Sequence, residues 1–137
     1  MCEFCKIINR QQPAYIVYED KKLISFLDIE PANEGHVLVV PKEHTDSIDK
    51  LPEDTLMDIM AVLRKIVIIF RKIYGNDGYS IMQNGGKCCD FGHIHFHVFP
   101  RYENDGFGFI YPEGNFEYSA AVAEKLRKEI EDLTENN

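Results

Sequence analysis

His93-Ile94-His95-Phe96-His97-Val98-Phe99-Pro100 places three of the chain's five histidines at strict two-residue spacing. Successive side chains of a strand point to opposite faces, so this alternation predicts a strand with His93, His95 and His97 on one surface and Ile94, Phe96 and Val98 on the buried one. Ile, Phe and Val favour extended backbone, and propensity therefore agrees with period. Three imidazoles fill a core poorly, because each carries two nitrogens that need partners once buried. A metal or an anion is expected over that face. Taken alone, the run also fits three metal ligands or three surface histidines.

Working outward, Asn84-Gly85-Gly86 is a turn and Tyr79 to Gln83 a strand that precedes it. Further upstream, Pro52 at the first helical position, with Glu53 and Asp54 behind it, opens the one long helix. Leu56, Met60, Leu63, Val67, Phe70 and Tyr74 repeat along that helix at threes and fours as its core stripe, and Gly75 ends it. Gly35 to Pro41 is a nearly continuous apolar run, predicted to lie centrally in the sheet with a helix on one side. Ala14 to Glu19 and Leu23 to Ile29 outline a hairpin around Asp20-Lys21-Lys22, and Glu3 to Asn9 reads as a short helix. Downstream of Arg101, Asn104 to Gly108 is a loop, and Ser119 to Leu133 has good helix formers. No internal repeat is visible, and the chain reads as one domain over 1–137.

A chain of 137 residues buries enough surface to form a single core without disulfides. No apolar run approaches bilayer-spanning length, so no membrane partner is expected. The net charge of -8 argues against nucleic acid and leaves room for a small phosphate-bearing ligand. No positively charged apolar leader precedes the first polar residues, which points to a cytoplasmic setting and reduced cysteines. Cys2 and Cys5 form a C-x-x-C pair able to share one zinc, but such a pair is half a site or simply two small buried residues. Cys88 and Cys89 read as packing or loop residues.

The run H-I-H-F-H-V-F resembles the histidine triad motif, H-φ-H-φ-H-φ-φ with φ apolar. The likeness extends over Phe4 to Arg101, including Phe26-Leu27-Asp28-Ile29, the strand G-H-V-L-V-V-P-K with His44 after it, and Asn84 behind a strand. The resemblance implies an α+β histidine triad fold: an antiparallel sheet with one long helix and a C-terminal helix, dimerising into a continuous sheet. It also implies a nucleotide hydrolase or transferase acting at the α-phosphorus of a phosphoramidate, dinucleoside polyphosphate or related conjugate of a purine nucleotide. His95 would be the nucleophile that takes the nucleotidyl group, His97 its partner at the phosphate or leaving group, and His36 a support that orients the triad.

The same resemblance implies a structural zinc on Cys2, Cys5, His44 and His93. It assigns Asp28 to the ribose hydroxyls, Phe4, Ile7, Phe26, Leu27 and Ile29 to the walls around the base, and Asn84 to the phosphate. The chain departs from the family between Asn84 and His93, where Asp90 stands in place of a common hydroxyl donor. A carboxylate only accepts hydrogen bonds, so Asp90 is expected to orient a histidine, with Lys87 supplying positive charge. Two other readings compete with the enzyme: a non-catalytic nucleotide-binding module, and an open metal site built on all three triad histidines. Finally, Met57, Val62, Ile66 and Ile69 widen the long helix's apolar surface beyond its stripe. Either a homodimer or the segment Tyr118 to Leu133 would cover that surface.

Overall fold

The structure, a computed structural model, describes residues 1–135. Its elements in chain order are α1 (Glu3–Ile8), β1 (Ile16–Glu19), β2 (Leu23–Leu27), β3 (Val37–Pro41), α2 (Glu53–Tyr74), β4 (Gly78–Gln83), β5 (Phe96–Arg101) and α3 (Ala120–Glu135). The five strands form one antiparallel sheet in the order β1-β2-β3-β5-β4. The apolar run that becomes β3 is the central strand, and all five of its residues are buried. Where the sequence reads as one domain, the chain divides into two compact units, 1–107 with the whole sheet and 108 onward with α3. In the second unit the Ser119 hydroxyl accepts from the Val122 amide at 3.3 Å, at the start of α3.

The two faces of the sheet have different covers. Val37 and Val39 of β3, with Leu23, Ile94, Phe96 and Val98, pack against Ile59, Val62, Leu63 and Phe70 of α2. Leu38 and Val40, with Ile24 and Phe26, pack against Phe4 and Ile7 of α1. Six residues are too few for a helix to hold itself in water, so α1 depends on that apolar contact and on its cap. The cap is Cys2, whose sulfur accepts from the Cys5 amide at 3.3 Å.

The core stripe of α2 follows the one its sequence suggests at five of six positions, with Leu63 and Phe70 buried and Leu56, Val67 and Tyr74 packed against the same cluster. Thr55, Ile59, Val62, Leu63 and Phe70 are the buried residues, whereas Met60, expected inside, is 56% exposed and Val62, expected as surplus, is core. Two apolar stripes interleave on this helix, and its spacing does not say which one meets the sheet. Met57, Ile68, Ile69 and Ile73 remain exposed, as do Tyr79 and Ile81 on the edge strand β4. Gly75 ends the helix in the left-handed region at φ 57°. No helix among the described residues is long and apolar enough to cross a membrane.

Candidate active site and metal centre

The histidine run is extended, but its first half is not in the ladder, because β5 begins at Phe96. Ahead of it, the Ile94 amide donates to the Thr45 carbonyl at 2.7 Å, which fixes His93 and His95 against the loop that follows β3. Alternation survives, with Ile94, Phe96 and Val98 facing α2. The histidine face is also covered: His93 is fully buried and His95 is 3% exposed. The Phe4 ring of α1 lies 5.0 Å from the His95 ring and 5.9 Å from that of His93.

Each imidazole has one nitrogen committed to a neighbour, and the neighbour selects the tautomer. His95 Nδ1 is 2.8 Å from the His93 carbonyl, an acceptor only, so Nδ1 carries the proton and Nε2 keeps a lone pair. His93 is pinned the other way round. Its Nε2 donates to the Pro41 carbonyl at 2.8 Å, which frees the Nδ1 lone pair. That lone pair joins a cluster. Cys2 Sγ lies 3.5 Å from His44 Nδ1 and 3.4 Å from His93 Nδ1, the matching Cys5 distances are 3.4 and 3.6 Å, and the two Nδ1 atoms are 3.2 Å apart. A tetrahedral zinc with bonds of ~2.0–2.3 Å has ligand-to-ligand edges of roughly 3.3–3.8 Å, so the four atoms fit one cation. Burial and the adjacent Cys2 sulfur push the Cys5 thiol up, an effect that a bound dication reverses.

A second chain of contacts starts at a backbone donor. The Ala32 amide donates to His36 Nδ1 at 2.9 Å, which leaves the His36 proton on Nε2. That Nε2–H faces His97 Nδ1 at 2.9 Å and Asp28 Oδ2 at 3.3 Å. His97 Nδ1 therefore accepts, and its own proton sits on Nε2. Asp28 Oδ2 is 3.4 Å from His97 Nδ1, while Oδ1 accepts from the Glu30 amide at 2.9 Å. Asp28, His36 and His97 are close enough for a metal, but the Ala32 bond keeps a proton on the His36 nitrogen that a metal would need. Burial holds His36 below the ordinary imidazole value, with the Asp28 carboxylate opposing. Burial lowers His97 as well, the His95 and His36 rings add to the shift, and Asp28 and Asp90 oppose it. His93 is lowered chiefly by burial, against the pull of the Pro41 carbonyl.

A HIT domain profile matches residues 9–104. The chain belongs to the HIT domain family. Among HIT relatives, adenosine 5'-monophosphoramidase HNT1 of Candida albicans is 36% identical over 138 residues, covering 94% of this chain and 91% of the relative. A crystal structure of a HIT family protein from Bacillus anthracis superposes with a TM-score of 0.83 at 34% identity, covering 96% of this chain and 95% of that one. A zinc-bound histidine triad family protein from Mycobacterium smegmatis superposes at 0.72 with 38% identity, covering 79% and 80%.

Within this HIT fold the residues expected at a nucleotide site fall into three groups. Asp28, His36, His95 and His97 come together as described. Phe4, Ile7 and Phe26 are buried in the α1 cluster beside them, with the Phe4 and Phe26 rings 5.5 Å apart. Leu27 projects from the opposite face of β2 and lines a cavity of about 310 Å³ beneath α2. Ile29 is 94% exposed. Asn84 follows β4 at the register position across from His95, continuing the pairing of Gln83 with Phe96. Asp90 is exposed in a tight turn of residues 90–92, close enough to raise His97 slightly.

Three participants left no mark in the sequence pattern. The Ala32 amide and the Pro41 carbonyl are backbone groups, which side-chain spacing does not report. Phe91, within the divergent loop, adopts φ 65° and tilts its ring against Phe4 at 5.1 Å and toward His95 at 6.4 Å. A left-handed non-glycine residue beside His95 is visible only in coordinates.

Proposed function

We propose that this HIT protein is a nucleotide hydrolase or transferase that works at the α-phosphorus of a purine nucleoside phosphoramidate, dinucleoside polyphosphate or related conjugate. The observation that carries this reading is the pinned His95, whose Nδ1–H is held on a backbone carbonyl so that a lone pair stands on Nε2. Nitrogen prepared in this way is a nucleophile that needs no base to deprotonate it. The phosphoramidase HNT1, a relative at 36% identity, supports the choice of substrate class. A neutral His97 in the free protein becomes protonated when an anionic phosphate arrives, with Asp28 Oδ2 ready to accept from Nδ1.

In the first step His95 Nε2 forms a bond to the α-phosphorus and the bond to the leaving group breaks. The leaving group departs with that electron pair and takes a proton from His97 Nε2. In the second step water attacks the nucleotidyl-His95, His97 takes the water's proton, and the P–N bond to His95 breaks. His95 regains its Nε2 lone pair and His97 is again protonated; when the nucleoside monophosphate leaves, His97 releases the extra proton to solvent and is neutral as at the start. Cys2, Cys5, His44 and His93 would hold a structural zinc. Four protein ligands leave it no open position for water, and its role is to staple α1 beside His95. The setting proposed is cytoplasmic, where both thiols stay reduced.

Mass spectrometry after brief exposure to adenosine 5'-phosphoramidate tests the reading. A nucleotidyl adduct on His95 supports it. Nucleotide binding with neither adduct nor turnover would instead identify a binding module. The exposed faces of α2 and edge strand β4 further suggest a homodimer that joins two sheets. Light scattering at micromolar concentration is expected to give twice the 15.9 kDa chain mass, and a single-chain mass rejects the dimer.

A further inference from the structure

The rings expected around a nucleobase have little surface left to offer one. Phe4 is 5% exposed and Phe26 3%, closed against Ile7 and one another in the α1 cluster, while Leu27 faces the cavity beneath α2. Ile29 is open but carries no ring. The aromatic surface continues outward, however. A row of rings leads from β2 past His95: Phe26 to Phe4 at 5.5 Å, then Phe4 to Phe91 at 5.1 Å, with Phe91 at 6.4 Å from the His95 ring. Phe91 ends the row and is its open member, at 58% exposure.

Holding Phe91 there costs free energy twice. An exposed phenyl ring forgoes burial, and a φ of 65° is unfavourable for any residue with a Cβ. The loop nevertheless fixes it. Buried Cys89 accepts from the Gly92 amide at 3.3 Å and donates its own amide to the Gly86 carbonyl at 3.1 Å, and the Gly86 amide donates to the Asp46 carbonyl at 2.8 Å. Gly92 supplies the next left-handed residue at φ 60°. A backbone outlier tied down on both sides, presenting an open ring next to His95, points to a ligand contact and not to packing. We infer that Phe91 is a specificity-determining residue whose ring stacks on the base of a bound nucleotide. The inference rests on the nucleotide reading proposed above and adds where the base lies. Every base has a π-face, so stacking tolerates adenine and guanine alike, and the bicyclic purine covers more of the ring than a pyrimidine does. The base is remote from the reacting phosphorus, so this contact acts equally in ground and transition states and belongs to KM.

Calorimetric titration with AMP, uridine 5'-monophosphate and ribose 5-phosphate, beside kinetics with adenosine 5'-phosphoramidate, tests the inference. Phe91→Leu keeps an apolar side chain at the same backbone position and removes the aromatic face, while Phe91→Tyr keeps the face. In Phe91→Leu, AMP affinity should fall about tenfold, uridine 5'-monophosphate affinity by about threefold or less, and ribose 5-phosphate affinity by less than about twofold. The kinetic loss should appear in KM and not in kcat, and Phe91→Tyr should restore wild-type values. Unchanged AMP affinity in Phe91→Leu overturns the inference. So does an equal loss for ribose 5-phosphate, which would make the loop a phosphate holder, or an equal loss for both nucleotides, which would remove the choice of purine. A fall in kcat with AMP affinity intact, or a Phe91→Tyr variant as weak as Phe91→Leu, overturns it too. If the wild type binds ribose 5-phosphate as tightly as AMP, no base is held and this inference alone fails. If it binds neither, the nucleotide reading itself fails and takes the inference with it.

Discussion

His93 and His97 flank His95 on either side, and the backbone leaves them with opposite polarity. His93 Nε2 meets a carbonyl, so its proton is spent inward and a lone pair faces the two cysteine sulfurs. On the other side an amide meets His36 Nδ1, so a proton is passed outward through His36 to His97 and emerges on Nε2. Behind His93 a carbonyl leaves a lone pair facing outward, and behind His36 an amide leaves a proton facing outward. The chemistry of an imidazole in this protein is decided less by nearby side-chain charge than by which backbone group it touches first.

The sharpest way to break this comparison is to remove the group between the two flanks. His95→Ala should lower turnover by about 10⁴-fold or more and abolish the adduct, while AMP binding persists. Titration calorimetry beside kinetics checks both, and a variant that still turns over would dismiss the nucleophile. The next effect belongs to the ligand side. Replacing Cys5 with Ser, or His44 with Ala, should reduce zinc from about one per chain to near none and lower Tm by about 5 °C or more. Metal analysis and a melting curve decide it, and unaltered Tm on chelation would show that the cluster staples nothing.

The acid side is examined by pH. His36 and His97 are both lowered by burial, so between their folded values and the ordinary value of about 6.5 the unfolded chain binds more protons than the folded one. Their contribution to stability is therefore fully present above about pH 6.5 and is lost as pH falls through the folded values. Urea unfolding at a series of pH values should show that decline, and His97→Gln should flatten it. A stability that rises as pH falls through this window would reverse the assignment of His97 as neutral in the free protein. The smallest expected effect concerns Phe91. Its φ of 65° costs any residue with a Cβ, so Phe91→Gly should be more stable than Phe91→Ala by about 1 kcal/mol. Equal stabilities would mean that the loop relaxes.

How much of this was legible beforehand follows the same division between side chain and backbone. The central place of β3 and the histidine alternation come from side-chain types at set spacings, which sequence displays directly. Spacing made Cys2 and Cys5 only half a site, and His44 and His93 joined them through the resemblance to the histidine triad family. Five of the six residues expected in the α2 stripe do meet the core; Met60 and Val62 change places, because both are apolar and only the sheet chooses between them. Leu27 and Ile29 share a segment with Asp28 yet turn elsewhere, since neighbours on an extended chain cannot all face one site. The tautomers were out of reach, because Ala32 and Pro41 contribute through groups that every residue carries.

The pairing of β3 with β5 also sets when the site can exist. His36 and His97 are separated by 61 residues and Cys2 and His93 by 91, and both contacts wait on that one strand pairing. Loop closure over such separations is among the slow events of folding. A refolding chain should therefore gain helical signal from α2 well before it assembles the histidine cluster around His95. Catalytic competence should arrive in a single late phase, with no partially active species on the way.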